Sequence, residues 1–165
     1  MSATASRVRA GTRAPRTTSK QRLRLWLRLL RTSRAIEGVL RERLRVTFRM
    51  TLPQFDVLAA LARADRGMTM TELSRLLMVS NGNVTGIIER LAADGLVARQ
   101  TSAGDRRAVH VSLTGRGVET FSRMAASHET WVDELLSDFT RADTEVLIGH
   151  LDGLAGRIRE GGRRV

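Results

Sequence analysis

The stretch Thr69–Thr114, TMTELSRLLMVSNGNVTGIIERLAADGLVARQTSAGDRRAVHVSLT, decides the fold. It opens on Thr69-Met70-Thr71-Glu72, the pattern of a capping box, with Thr69 as N-cap and Glu72 reaching back to it. A short helix over roughly 70–77 follows, carrying Leu73, Leu76 and Leu77, and it stops at Met78-Val79-Ser80. Ser80 is a suitable N-cap for a second helix over roughly 81–94, which buries Val84, Ile87 or Ile88, and Leu91. Asp94-Gly95 closes that helix, with Gly95 as its left-handed terminal residue. Val97–Thr101 and Ala108–Leu113 then alternate in polarity around the turn Ser102–Arg107, which predicts a β-hairpin with a polar, basic tip. Two short helices joined by a three-residue turn and followed by such a hairpin spell a winged helix-turn-helix.

In a helix-turn-helix the second helix lies in the major groove and presents its N-terminal residues to base edges. Here those residues are Ser80, Asn81, Gly82, Asn83 and Thr85, with Arg90 a further candidate on the same helix. An asparagine side chain both donates and accepts, which suits an adenine edge. Ser80 and Thr85 can bond phosphates, and the helix N-terminus adds backbone N–H donors. Gly82 and Gly86 leave room for close backbone approach. At the hairpin tip, Asp105 can orient one of Arg106 and Arg107 through a carboxylate–guanidinium pair. The other arginine is then free to enter a narrow minor groove, where the negative potential is strongest.

Outward from this segment the chain reads as helix. Residues 21–49 form a long amphipathic helix, with Trp26, Leu29, Leu30, Ile36, Val39, Leu40 and Leu44 at helical spacing and a polar face that is nearly all arginine. At roughly 1.5 Å per residue it is about 40 Å long, and its apolar stripe needs a partner larger than this small domain supplies. Pro53 fits the first turn of the next helix, whose buried face holds Phe55, Leu58 and Leu61 and which Arg66-Gly67 ends. After the hairpin, Thr114 begins a helix to about Ser137, with Phe121, Met124, His128, Trp131 and Leu135 on one stripe. Thr140 and Asp143 mark the start of a last helix bearing Val146, Leu147, Leu151, Leu154 and Ile158. The expected class is mainly α with a small β-hairpin wing. Its parts are a disordered basic arm at 1–20, a helical dimerisation region at 21–49 and 114–165, and a DNA-binding region at 50–113, all within one compact domain.

Charge supports a polyanionic partner. The 165-residue chain has a formal net charge of +11. Residues 1–49 hold 14 basic residues against Glu37 and Glu42, a net of +12, and the remaining 116 residues net −1. Arginine supplies 27 of the 28 basic side chains, and its planar fork suits phosphates and base edges better than lysine does. The reading segment itself nets only +1, so much of the electrostatic attraction must come from the arm or the first helix.

The same composition removes other classes. With no cysteine, the chain has no disulfide, thiolate metal site or thiol switch, which fits a cytoplasmic protein. No run of 18 apolar residues suggests a membrane span. His110, His128 and His150 are scattered, with no catalytic triad, carboxylate pair or metal-ligand spacing, so neither an enzyme nor a cofactor is expected. Six aromatic residues give little for stacking on RNA bases. The strongest rival is a peripheral membrane protein, because the first helix joins a basic face to an apolar stripe with Trp26. Against it, dimerisation already gives that stripe a use.

From about residue 22 to 160 the sequence resembles the MarR family of bacterial regulators. The resemblance is carried by Leu52-Pro53-Gln54-Phe55-Asp56-Val57-Leu58, Thr71-Glu72-Leu73-Ser74, Val79–Thr85, Asp94-Gly95-Leu96-Val97, Asp105-Arg106-Arg107 and Leu113-Thr114-Gly115-Arg116-Gly117. It implies a homodimer made by the first, fifth and sixth helices, bound to a palindromic duplex operator and most often acting as a repressor. It also implies that Arg107 enters the minor groove with Asp105 in support. Gly86 departs from the many members with a larger polar side chain there. The resemblance further implies a small aromatic or anionic effector held among helices 1, 2 and 5, where Trp26, Arg34, Phe55, His128 and Trp131 are the candidates. The stretches Leu25–Arg31 and Leu77–Gly86 resemble a branch associated with aromatic acid degradation, part of which senses aryl-CoA thioesters. For such a ligand Arg28, Arg31, Arg34 and Arg41 are candidate phosphate partners.

Overall fold

The computed structural model describes residues 18–64, 66–101 and 109–161. The chain divides into two compact units, 1–38 and 39–165. Helix α1 (Thr18–Phe48) begins in the first and ends in the second. In the first unit its apolar side chains lie open to solvent: Leu23, Leu25 and Trp26 are each more than half exposed. In the second unit the same helix buries Leu40 and Leu44.

Arg49 ends α1 in the left-handed conformation (φ 54°), and the Met50 N–H reaches back to the Leu44 carbonyl at 3.3 Å, as in a Schellman motif. Helix α2 (Leu52–Ala62) starts on a second capping box that the reading of Pro53 alone did not anticipate. Thr51 N–H donates to Gln54 Oε1 at 2.8 Å, and Gln54 N–H donates back to Thr51 Oγ1 at 3.4 Å. Satisfied in this way, Gln54 can be buried. The helix stops at Ala62, four residues before the expected Arg66-Gly67. The turn at Gly67 leads instead into a strand that sequence patterning missed. This strand, β1 (Met68–Thr69), pairs antiparallel with β3, Met68 opposite Val111 and Thr69 opposite His110. The expected two-stranded hairpin is thus part of a three-stranded sheet of order β1-β3-β2, with β2 at Val97–Thr101 and β3 at Val109–Leu113.

Between β1 and β2 lie α3 (Met70–Leu77) and α4 (Asn81–Ala93). The Thr69–Glu72 capping box forms as expected, with Thr69 N–H donating to Glu72 Oε2 at 2.8 Å. This bond and the one from the Thr69 hydroxyl hold the Glu72 carboxyl below its ordinary range. Met78 turns the chain between the helices at φ 53°, where a β-carbon costs roughly 1–2 kcal/mol. Its N–H reaches the carbonyls of Ser74 and Arg75, and Ser74 Oγ donates to the Val79 carbonyl at 2.8 Å, so the turn is pinned from both sides.

The core gathers Phe55, Val57, Leu58 and Leu61 of α2, Leu73 of α3, Val84, Ile88 and Leu91 of α4, Val111 of β3 and Met124 of α5. Each fully buried aliphatic side chain of this kind contributes about 1.5–3 kcal/mol. Helix α5 (Gly115–Leu135) is capped by Thr114, whose hydroxyl accepts from the Gly117 N–H and donates to the Gly95 carbonyl at 2.7 Å. A β-carbon on Gly117 would collide with the Leu96 carbonyl, so α5 and the turn before β2 meet there backbone to backbone. Helix α6 (Arg141–Gly161) begins on the Thr140–Asp143 box, yet no residue in it is buried.

Candidate nucleic-acid interface

Helix α4 is fixed by what it buries. With Val84, Ile88 and Leu91 in the core, the opposite face turns to solvent: Gly82, Asn83, Thr85, Gly86 and Arg90 are all exposed. Ser80 is the N-cap, its hydroxyl accepting from the Asn83 N–H at 3.4 Å. Asn81 opens the helix, and Gly95 (φ 71°) leads away from its far end.

Beside this face runs a groove of about 630 Å³ between α4 and the start of α2. Gly82, Asn83 and Gly86 form one wall. A β-carbon at either glycine would meet nothing within 4 Å, so no internal packing demands glycine there. Arg41 of α1 and Arg90 of α4 also line the groove, and neither makes an ion pair among the described residues. Arg41, a candidate partner for a ligand's phosphates, lies beside α4.

On the other side of α4, Thr85 and Arg99 of β2 line a smaller recess of about 270 Å³. Arg99 approaches Glu89 at 4.0 Å. It was not among the predicted contacts, because nothing in the strand pattern brings it against α4. The expected wing contacts Asp105, Arg106 and Arg107 lie outside the described residues.

The effector candidates fall into two sets. Phe55, His128 and Trp131 lie in the unit 39–165, in aromatic contacts between helices. Phe55 stacks on His128 with ring centroids 4.7 Å apart and a 17° interplanar angle, and it also meets Phe121 at 5.7 Å. Trp131 packs on Phe48 at 6.1 Å, with the Arg43 guanidinium 5.9 Å from its ring centroid. Arg43 also pairs with Glu134 at 2.6 Å. Burial lowers the His128 imidazole below its ordinary 6.5, a shift that the nearby Asp56 charge opposes. Trp26, Arg28, Arg31 and Arg34 lie exposed on α1 in the unit 1–38. Among the described residues no cluster of three or more His, Asp or Glu could hold a metal ion, and no helix is long and apolar enough to cross a membrane.

A short helix, a pinned turn, a second helix with one buried and one open face, and a strand pair behind it define a winged helix-turn-helix protein of the nucleic-acid-binding kind. The MarR family profile matches residues 50–108. The HTH-type transcriptional regulator PecS of Dickeya dadantii is 29% identical over 115 residues, 68% of this chain and 67% of PecS. The transcriptional activatory protein BadR of Rhodopseudomonas palustris is 35% identical over 105 residues, 62% of this chain but only 60% of BadR. The crystal structure of a MarR family transcriptional regulator from Silicibacter pomeroyi superposes with a TM-score of 0.72 at 31% identity, covering 87% of this chain and 99% of that one. The chain belongs to the MarR family and is a winged-helix transcriptional regulator, not an enzyme.

Proposed function

We propose that this regulator binds a palindromic duplex operator as a homodimer, represses transcription there, and leaves the DNA when a small aromatic or acyl-CoA-type ligand binds. The observation that carries the reading is the two-sided α4. Its inner face is fixed in the core, and its outer face presents Gly82, Asn83, Thr85 and Arg90 beside the groove shared with Arg41. In this reading α4 enters the major groove, Ser80–Thr85 meet base edges, and Arg107, supported by Asp105, enters the minor groove. Residues 50–113 form the reading region, and α1, α5 and α6 form the dimer. In support of the dimer, Val146, Leu147, Ile148, Leu151, Leu154 and Ile158 of α6 are 42–65% exposed. Half-sites would lie about one helical turn, 34–36 Å, apart. A cytoplasmic location follows from a DNA target.

Selection of binding sequences from a random duplex library tests this directly. The expected result is an enriched inverted repeat bound by two 18.3 kDa chains. No enrichment over bulk sequence would overturn it. Arg107→Ala should weaken binding of the selected operator by about 1–3 kcal/mol in a mobility-shift titration while the dimer stays folded. Because the basic excess sits in residues 1–49, deleting residues 1–20 should flatten the salt dependence of binding if the arm meets phosphates.

For the effector, calorimetric titration with coumaroyl-CoA, benzoyl-CoA and the free acids separates the candidates. Heat from none of the thioesters removes the acyl-CoA assignment. Activation is the second reading, since BadR is named a transcriptional activatory protein. Transcription in vitro from the selected operator, with and without the protein, distinguishes the two.

A further inference from the structure

We propose that Met78, in the turn before α4, is an apolar DNA contact that helps set operator preference. The inference rests on the DNA-binding reading above and adds a residue outside the set Ser80–Thr85.

Among the described methionines, Met78 is the odd one. Met50 and Met124 are buried and Met68 and Met70 half-buried, whereas Met78 is 93% exposed. Its side chain gains almost nothing from burial. Its backbone sits at φ 53°, ψ 37°, a conformation in which glycine is relaxed and a β-carbon is strained. The turn is held by the Ser74 hydroxyl on the Val79 carbonyl and by the Met78 and Val79 N–H bonds to α3, none of which uses the methionine side chain. Neither packing nor local conformation accounts for a long apolar side chain at this position.

Its placement offers an account. Met78 lies two residues before Ser80, the cap of α4, at the end of the helix whose residues face the DNA. Val79, between them, already lines the groove along the glycine wall. A flexible thioether in that place reaches outward without a hydrogen-bond donor. The DNA groups it can meet are therefore apolar ones, a thymine 5-methyl in the major groove or a deoxyribose at its edge. Covering such a group also buries the methionine that the free protein leaves in water.

Three measurements with the full-length protein and its library-selected operator test this. Met78→Gly removes the contact and relaxes the turn, so its Tm should rise by roughly 2–4 °C while its operator affinity falls roughly fivefold to fiftyfold. Met78→Leu keeps the apolar reach and should bind within about threefold of the parent. Operators carrying deoxyuridine in place of single thymidines then locate the contact. A loss at one position for the parent but not for Met78→Gly assigns the thymine methyl, and the absence of any such position assigns the sugar.

Peroxide footprinting provides a readout that needs no variant. The Met78 sulfur attacks hydrogen peroxide, one oxygen transfers to give the sulfoxide, and the second leaves as water. Mass spectrometry should find this oxidation several times slower in the operator complex than with an unrelated duplex. Undiminished affinity of Met78→Gly, or equal oxidation of Met78 with both duplexes, overturns the proposal. Failure of the library to yield any operator would instead strike the DNA-binding reading itself.

Discussion

Helices α4 and α6 belong to the same unit of the chain and use aliphatic side chains in opposite ways. In α4, Val84, Ile88 and Leu91 are sealed in the core, and this fixes which face is left outside. In α6 the aliphatic side chains stay in contact with water and nothing in the helix is buried. The first helix is complete within one chain. The second carries an apolar surface that no described residue of the chain buries. The difference teaches that contacts within one chain orient α4, whereas the α6 face is the surface that the proposed dimer would cover.

The largest effect expected from this contrast falls on α6. The double substitution Leu147→Asp, Leu151→Asp places two charges in the proposed seam. Light scattering should report single 18.3 kDa chains, and circular dichroism should report native helical content. Operator affinity should drop by about a hundredfold or more, because two half-sites are no longer linked. A variant that still binds as a dimer would break the comparison.

Next in size is a matched pair of alanines. Ile88→Ala leaves a hole in a closed core and should cost about 2–5 kcal/mol in denaturant unfolding, whatever the protein concentration. If its partner lies in another chain, as proposed, Leu151→Ala should lower stability in a way that depends on concentration. If both costs prove independent of concentration, α6 is not an intersubunit surface.

A smaller effect belongs to the caps. Thr69→Ala removes the side chain that receives the Glu72 N–H at 3.2 Å and donates to the Glu72 carboxylate at 2.9 Å, and it should cost about 1 kcal/mol. It should also allow the Glu72 carboxyl to rise toward its ordinary value, visible in an NMR titration.

The smallest effect concerns His128, stacked on Phe55 between α2 and α5. Its imidazole lies below 6.5 in the folded chain, so the unfolded chain takes up that proton first as pH falls. The stability contributed by the neutral ring is full above 6.5 and declines as pH drops toward the lower native value. His128→Phe should flatten the fall in Tm as the pH drops below 6.5. An unchanged slope would mean that the stacked ring titrates like a free one.

What could be read from the amino acids follows from how local each signal is. The Thr69–Glu72 box, the Ser80 cap and Gly95 are written within a few neighbouring residues, and all three occur where their spacing put them. The Thr51–Gln54 box carries the same spacing and was obscured by the stronger signal of Pro53. Strand β1 escaped because two residues carry no alternation, and its pairing with Val111 and His110 comes from some forty residues away. Both turns stand where the sequence reading put them, but Arg49 and Met78 take left-handed conformations without the glycine that advertises one, so those conformations were not legible. At the candidate interface, which side chains of α4 stay exposed followed from helical periodicity. Arg41 and Arg99 reach that face only through the packing of separate elements.

The joint at Gly117 has a mechanical consequence. Its bare backbone rests on Leu96, while the Thr114 hydroxyl ties the start of α5 to the end of α4 and the Thr114 N–H donates to the Leu96 carbonyl at 3.0 Å. The Leu113 side chain stands beside this contact, 3.4 Å from where a Gly117 β-carbon would sit. A rotation of α5 is therefore expected to carry with it the turn between α4 and β2, to which Thr114 and Gly117 hold it.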